Sequence, residues 1–79
     1  MRVIKELSLH AIKVSVFSWN NKYLIKFEQG MIEQTYKVSE MDLADEEELE
    51  VFWSEAFMSE VQKRFDEMHQ SLRNQLENI

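Results

Sequence analysis

Few side chains in this 79-residue chain are suited to acid–base or metal chemistry: two histidines, fifteen carboxylates and no cysteine. Asp66 and His69 stand three residues apart, which places a carboxylate and an imidazole one turn apart on a helix. Bundle metal sites use the same spacing, but they combine several such pairs from neighbouring helices, and this chain has one pair. We therefore expect a solvated His69 paired with Asp66, with no metal and no cofactor.

Other catalytic and ligand-binding motifs are missing from the sequence. The lack of cysteine excludes disulfides, thiol catalysis and cysteine-ligated metal centres. A single glycine, Gly30, excludes a glycine-rich phosphate loop, and the acidic cluster Asp45–Glu48 lacks the turn-making glycine of a calcium loop. No serine stands in a nucleophile motif, and His10 has no obvious partner. The sequence predicts a protein that is not an enzyme.

Charge is divided unevenly along the chain. Residues 1–41 contain six basic and four acidic side chains, a net charge of +2, whereas residues 42–79 contain three basic and eleven acidic ones, a net charge of −8. Six of those acids lie between Asp42 and Glu50. Carboxylates stabilise the amino-terminal end of a helix, so the cluster predicts a helix start with Asp42 or Asp45 as its N-cap. An acidic interaction tail is the alternative.

Alternating apolar and polar residues in the first half predict strands over residues 12–17, 23–28 and 32–38. Asn20-Asn21 and Gln29-Gly30 separate these runs and suit two-residue turns. These signals predict a three-stranded antiparallel meander. Residues 1–9 are expected to be extended, as a fourth strand or as an extension of the first strand, and a short helix is the alternative. A phase change near His10-Ala11 predicts a bulge or bend there.

The two turns also predict the strand register. The Asn20-Asn21 turn places Trp19 opposite Lys22 and Phe17 opposite Leu24. The Gln29-Gly30 turn would add the pairs Phe27–Ile32, Lys26–Glu33, Leu24–Thr35 and Tyr23–Tyr36. Apolar residues then meet on one face and opposite charges on the other, which stabilises a sheet by about 0.2–1 kcal/mol per pair.

Apolar residues at three- and four-residue steps predict one amphipathic helix within residues 42–79. A continuous helix of ~34 residues is ~50 Å long, about twice the ~23 Å of a seven-residue strand. Its carboxyl-terminal half would protrude and pair with a second copy, so we predict a homodimer. The predicted self-association face is Val61, Phe65, Met68, Leu72, Leu76 and Ile79. A fraying monomeric tail or a helix that breaks and folds back are the alternatives.

The sheet face opposite the helix is the second candidate surface. We predict that it is covered by residues 1–9, a second copy or another protein, with Trp19 as the anchor. Single-stranded nucleic acid is the alternative, because aromatic side chains stack on bases and lysines neutralise phosphates. The net charge of −6 argues against it. The candidate binding residues are Phe17, Trp19, Lys22, Leu24, Lys26 and Met31.

Three segments, residues 19–28, 33–39 and 65–72, resemble a family of short bacterial proteins of unknown function found in Bacteroidetes. The resemblance implies a bacterial cytoplasmic origin and no known activity. No uncharged apolar run approaches the ~18 residues of a membrane span, and Arg2, Lys5 and Glu6 interrupt any secretory signal. Taken together, the sequence predicts one cytoplasmic α+β domain over residues 1–79, with the sheet in residues 1–40 and the helix in residues 42–79, and no contact with a membrane.

Overall fold

Four antiparallel strands and one long helix make up the computed structural model, which describes all 79 residues. The strands are β1 (Arg2–Leu9), β2 (Ile12–Trp19), β3 (Lys22–Gln29) and β4 (Ile32–Ser39), and they lie in the sheet in chain order. A 3₁₀ turn at Glu40–Asp42, a 3₁₀ helix at Glu46–Trp53 and the helix α1 at Glu55–Leu76 follow. The predicted α+β fold is confirmed, and residues 2–9 form the fourth strand.

Two-residue turns join all four strands. His10, Ala11, Asn20 and Asn21 have φ of 53°, 63°, 53° and 64°, which is the left-handed conformation of type I′ turns. Asparagine tolerates this conformation, whereas alanine adopts it at a steric cost. The predicted bend at His10-Ala11 is thus a tight hairpin turn, and the bulge lies inside β1, between Val3 and Lys5.

The register between β2 and β3 is as predicted, including Phe17 opposite Leu24 and Trp19 opposite Lys22. The register between β3 and β4 was predicted wrongly by two residues, because the turn is Gly30-Met31 and not Gln29-Gly30. Gly30, with φ of 62°, occupies the first central position, where a type II′ turn requires glycine. A two-residue shift leaves the side chains of Ile32–Ser39 on their predicted faces, whereas Met31, predicted on the outer face, lies in the turn.

The hydrophobic core lies between one face of the sheet and the segments that follow it. Ten buried apolar side chains form it: Ile12, Val14, Val16, Tyr23, Ile25, Phe27, Leu49, Met58, Val61 and Phe65. An aromatic cluster adjoins this core, with ring centroids 5.4 Å apart for Phe52–Phe57 and 5.9 Å apart for Phe27–Phe57. The helices therefore cover one sheet face and leave the other without a layer.

The single continuous helix predicted over residues 42–79 is wrong, because the chain changes direction at Ser54. Ser54 is extended, with ψ of 156°, and it separates the 3₁₀ helix from α1. Its hydroxyl donates a hydrogen bond to the Val51 carbonyl at 2.9 Å and accepts one from the Phe57 amide at 3.3 Å. The break allows Leu49 and Trp53 on one side, and Phe57 on the other, to pack on the same sheet.

The helix α1 has 22 residues and runs toward the Gly30-Met31 turn. Its first turn places Phe57 against Tyr36, with ring centroids 5.7 Å apart, and its later turns place His69 beside Gln29. Leu72, Leu76 and Ile79 lie beyond these contacts. No helix in the structure combines the length and the apolar composition that crossing a bilayer requires.

Replacing Ser54 with alanine tests the role of the break. Ser54→Ala removes the hydroxyl that caps α1, so the free energy of unfolding should fall by about 0.5–2 kcal/mol in urea denaturation. The control is Ser59→Ala, an exposed position inside α1, where alanine favours helix and the change should stay within about 0.5 kcal/mol. Equal effects of the two substitutions would contradict the capping role.

Candidate interaction surfaces

The sheet face turned away from α1 is open to solvent. Strand β1 extends the sheet beside β2, so residues 1–9 do not cover this face as the sequence analysis had allowed. Val3 lies opposite Phe17, and Phe17 lies opposite Leu24, which forms an apolar row across three strands. Trp19 extends this row along β2 and is 46% exposed. We call Val3, Phe17, Trp19 and Leu24 the outer patch.

The structure brings most of the predicted outer-face residues together, with one exception. Phe17, Trp19 and Leu24 belong to the outer patch, and Lys22 lies opposite Trp19. Met31 is 91% exposed but sits in the β3–β4 turn, at the opposite end of the sheet from Trp19. Met31 is therefore not part of the outer patch, whereas Val3, which the sequence analysis missed, is.

Two of the four lysines on this face, Lys22 and Lys26, contact neighbouring side chains. The Lys22 ammonium lies 5.6 Å from the centroid of the Trp19 ring, a cation–π contact. The Lys26 ammonium lies 3.6 Å from a carboxylate oxygen of Glu28 and 3.6 Å from one of Glu33. Lys26 thus bridges two acids that the register places directly opposite each other. The two ion pairs of Lys26 reduce the positive charge that the face presents to a polyanion.

The predicted self-association face is only partly accessible. Val61 and Phe65 are fully buried against the sheet and Met68 is half-buried, so these three belong to the core of a single chain. The reason is the break at Ser54, which shifts the start of α1 toward the carboxyl terminus and brings these residues over the sheet. Leu72, Leu76 and Ile79 remain exposed, at 38%, 57% and 98%. We call these three residues the helix-end stripe.

Asp66 and His69 do not form the predicted pair. His69 Nε2 lies 3.3 Å from Gln29 Oε1, and Asp66 Oδ1 accepts a hydrogen bond from Gln62 Nε2 at 3.0 Å. Gln29 and Gln62 exchange two amide hydrogen bonds, of 2.9 and 3.2 Å. The group joins the end of β3 to α1, so it fixes the helix on the sheet. No three histidine or carboxylate side chains converge on one point.

His10 has a partner that the sequence did not indicate. Its Nε2 lies 3.3 Å from a carboxylate oxygen of Glu55, at the start of α1. Both side chains are exposed. This contact joins the β1–β2 turn to the helix, and the surrounding surface is an open groove on that flank of α1.

A second groove, of about 530 Å³, lies between α1 and β4. Ile32 and Gln34 line it from the strand, and Met68 lines it from the helix. The Gln34 amide donates a hydrogen bond to the Val61 carbonyl at 3.0 Å, whereas its Oε1 is buried without a partner. The groove is open along β4, the last strand of the sheet.

Tyr23 joins the sheet to the 3₁₀ helix through its hydroxyl, which donates to Glu46 Oε1 at 3.5 Å. Desolvation raises the pKa of Tyr23 above its ordinary value of 10.0, and the negative charges of Glu46 and Glu40 raise it further. Arg2 opposes the shift, with its guanidinium 4.0 Å from the same Glu46 carboxylate. The contact stabilises the protonated phenol at neutral pH.

Comparison with known proteins adds no relative: no family model matches the chain, and no curated protein or solved structure is significantly similar to it. Function must therefore be inferred from the surfaces described above.

The Tyr23 contact predicts a measurable alkaline transition. The unfolded phenol ionises near pH 10, whereas the native one keeps its proton, so stability should fall as pH rises through this range until Tyr23 ionises in the native state. Glu46→Gln should lower the pKa of Tyr23 in the native protein. The titration is measured by phenolate absorbance in a Tyr36→Phe variant, in which Tyr23 is the remaining tyrosine. Glu47→Gln, in the same helix, should leave the titration unchanged; equal shifts would contradict the assignment to Glu46.

Proposed function

We propose that the protein is a small, non-enzymatic protein–protein interaction module that self-associates and works in the cytoplasm. The observation that supports this proposal most directly is the helix-end stripe. Leu72, Leu76 and Ile79 continue the spacing of the buried residues Val61 and Phe65, but they extend past the sheet and remain exposed. Leu72 and Leu76 lie on α1, and Ile79 lies three residues beyond its end. An exposed apolar stripe of this kind favours packing against another helix or sheet.

The energetic scale of this surface favours a weak, concentration-dependent dimer. Full burial of a leucine or isoleucine side chain contributes about 1.5–3 kcal/mol. Association costs about 4–15 kcal/mol in lost translational and rotational freedom. Three side chains from each copy supply an energy of the same order as that cost. A second area of contact between the copies would therefore strengthen the dimer considerably.

The outer patch supports a role in binding a further protein. Its apolar row spans three strands, so a rigid sheet supports it, and Trp19 lies at its end. Tryptophan is enriched among residues that contribute most to protein–protein binding. We propose that this face contacts a different protein partner, with Trp19 as the anchor, and that self-association leaves it accessible.

Self-association is testable by sedimentation equilibrium. At high micromolar concentration the wild type should sediment with about twice the monomer mass of 9.5 kDa. Leu72→Asp should return the mass toward that of the monomer with an unchanged circular dichroism spectrum, because it places a charge in the helix-end stripe. A wild type that remains monomeric at every concentration would refute self-association.

The matched control is Asn74→Asp, which adds the same charge two residues away on α1. Asn74 Oδ1 already accepts a hydrogen bond from Gln70 at 2.9 Å, and a carboxylate accepts equally well. This variant should keep the dimer mass. If Leu72→Asp unfolds the sheet instead, then Leu72 belongs to the core of the single chain.

Single-stranded nucleic acid remains the second candidate ligand. It is favoured by the exposed Trp19 indole, with the exposed Lys13 and Lys37 on the same sheet face. A mixed-sequence oligonucleotide titrated into a Trp53→Phe variant reports on Trp19 alone, because the chain has two tryptophans. Quenching that weakens with salt would support this function. Unchanged emission at micromolar oligonucleotide would reject it and leave protein binding as the function.

A further inference from the structure

Strand β4 is a free sheet edge with regularly spaced, unpaired backbone groups. In a two-residue hairpin the residues flanking the turn exchange hydrogen bonds, so Gln29 and Ile32 form a hydrogen-bonded pair, and every second pair after them does too. The residues between direct their N–H and C=O groups away from β3. On β4 these are Glu33, Thr35, Lys37 and Ser39, which are exposed and whose side chains lie on the outer face.

The two edges of the sheet differ in their capacity to accept another strand. β1 carries a bulge between Val3 and Lys5, and bulges twist an edge and disrupt its hydrogen bonding. β4 pairs with β3 without interruption from Ile32 to Ser39 and contains no proline. Because the groove between β4 and α1 is open, the helix does not obstruct this edge. β4 is therefore the edge that is available for pairing.

We propose that β4 of one copy pairs antiparallel with β4 of a second copy, with Thr35 opposite Thr35 of the partner subunit. This inference rests on the proposed self-association and names the surface that carries it. The two sheets then form one continuous sheet around a two-fold axis. Such an interface is closed, because each copy uses the same surface. Pairing β4 with β1 of another copy would instead leave a free edge at each end and propagate into fibres.

Charge complementarity selects this register. With Thr35 on the axis, Glu33 lies opposite Lys37 of the partner subunit, and the symmetry repeats the pair. Registers centred on Glu33 or Lys37 place like charges opposite each other, and the neighbouring registers place Thr35 opposite a charged residue. Opposite charges directly across a strand pair stabilise it and like charges destabilise it. Among the registers that join the free backbone groups, this one alone places both Glu33 and Lys37 opposite a residue of the opposite charge.

The helix-facing side of β4 is also complementary to itself in this register. Ile32 lies opposite Val38 of the partner subunit, which joins two apolar side chains. Gln34 lies opposite Tyr36 of the partner subunit, which places an amide beside a hydroxyl.

The pairing also accounts for the helix-end stripe. Met31 would lie opposite Ser39 of the partner subunit, so the end of α1, which projects past the Gly30-Met31 turn, would run beside the segment that follows that serine. This segment contains Met41, which is 94% exposed in the single chain. The edge strand and the helix-end stripe would thus contribute to one interface, and the outer patch would stay free.

A charge exchange tests the register. Glu33→Lys and Lys37→Glu each place like charges opposite each other in a homodimer, so each should raise the dissociation constant at least about tenfold, since two pairs change sign. An equimolar mixture of the two variants restores opposite charges at both positions. It should form a heterodimer with a dissociation constant within about threefold of the wild type, detected by native mass spectrometry with one variant isotopically labelled.

The matched control is the pair Glu6→Lys and Lys13→Glu, which lie on the outer face of β1 and β2 and carry the same changes in net charge. Each should dimerise like the wild type, and their mixture should show no preference for the heterodimer. If both pairs of variants behave alike, the effect comes from net charge, and the β4 register is wrong.

A covalent test does not depend on charge. Residues opposite each other in a hydrogen-bonded antiparallel pair have Cα atoms about 5.5 Å apart, within the range of a disulfide. Because the chain has no cysteine, Thr35→Cys can form a disulfide only between copies. Under mild oxidation it should cross-link into a dimer at least about tenfold faster than the control Ser8→Cys on the exposed part of β1, as expected for a pre-oriented pair.

The outcomes separate this inference from the proposed function. The β4 interface is overturned, and self-association stands, if the wild type dimerises but the charge variants keep its affinity and Thr35→Cys cross-links slowly. A wild type that is monomeric at all concentrations would overturn both. Both are supported if Glu33→Lys and Lys37→Glu each weaken the dimer, their mixture restores it, and Thr35→Cys cross-links rapidly.

Discussion

Covering one face of a small sheet is the constraint on which the rest of this structure depends. The strands use the first half of the chain, so the second half must supply the whole opposing layer. A straight helix through that half would cross the sheet once and leave much of it uncovered. Ser54 resolves the problem because its hydroxyl bonds to both flanking segments, and the chain then packs first as a 3₁₀ helix and afterwards as α1.

The same arrangement determines which surfaces stay free. A two-layer fold leaves the second sheet face uncovered, so no further layer packs on the outer patch, and its members Val3 and Trp19 are exposed. The meander has two edges, and one of them, β4, is continuous and unprotected by a bulge. The helix is longer than the part of the sheet beneath it, which exposes Leu72 and Leu76 on α1 and Ile79 beyond its end. In the proposed function, β4 and the helix-end stripe join two copies of the chain. The outer patch lies outside that interface and is left to bind another protein.

Much of the sheet was predictable because its signals are local. Alternation defined the strands, and Asn20-Asn21 defined a turn and therefore a register. The β3–β4 register was missed because Gln29-Gly30 and Gly30-Met31 both contain the glycine, and only the turn geometry shows that Gly30 takes the first central position. Among the candidate residues, Phe17, Trp19 and Leu24 were placed correctly, whereas Met31 was not, because its face depends on where the turn lies.

By itself the sequence determined the α+β class and the apolar face of β2, β3 and β4, because periodicity expresses which side chains must avoid water. Only the tertiary structure decided that α1 begins after Ser54, that Val61 and Phe65 belong to the core, and that His69 contacts Gln29 and not Asp66. The physical reason is that helical spacing is the same for a continuous and a broken helix. The break is selected by how much of the sheet the two segments can cover together.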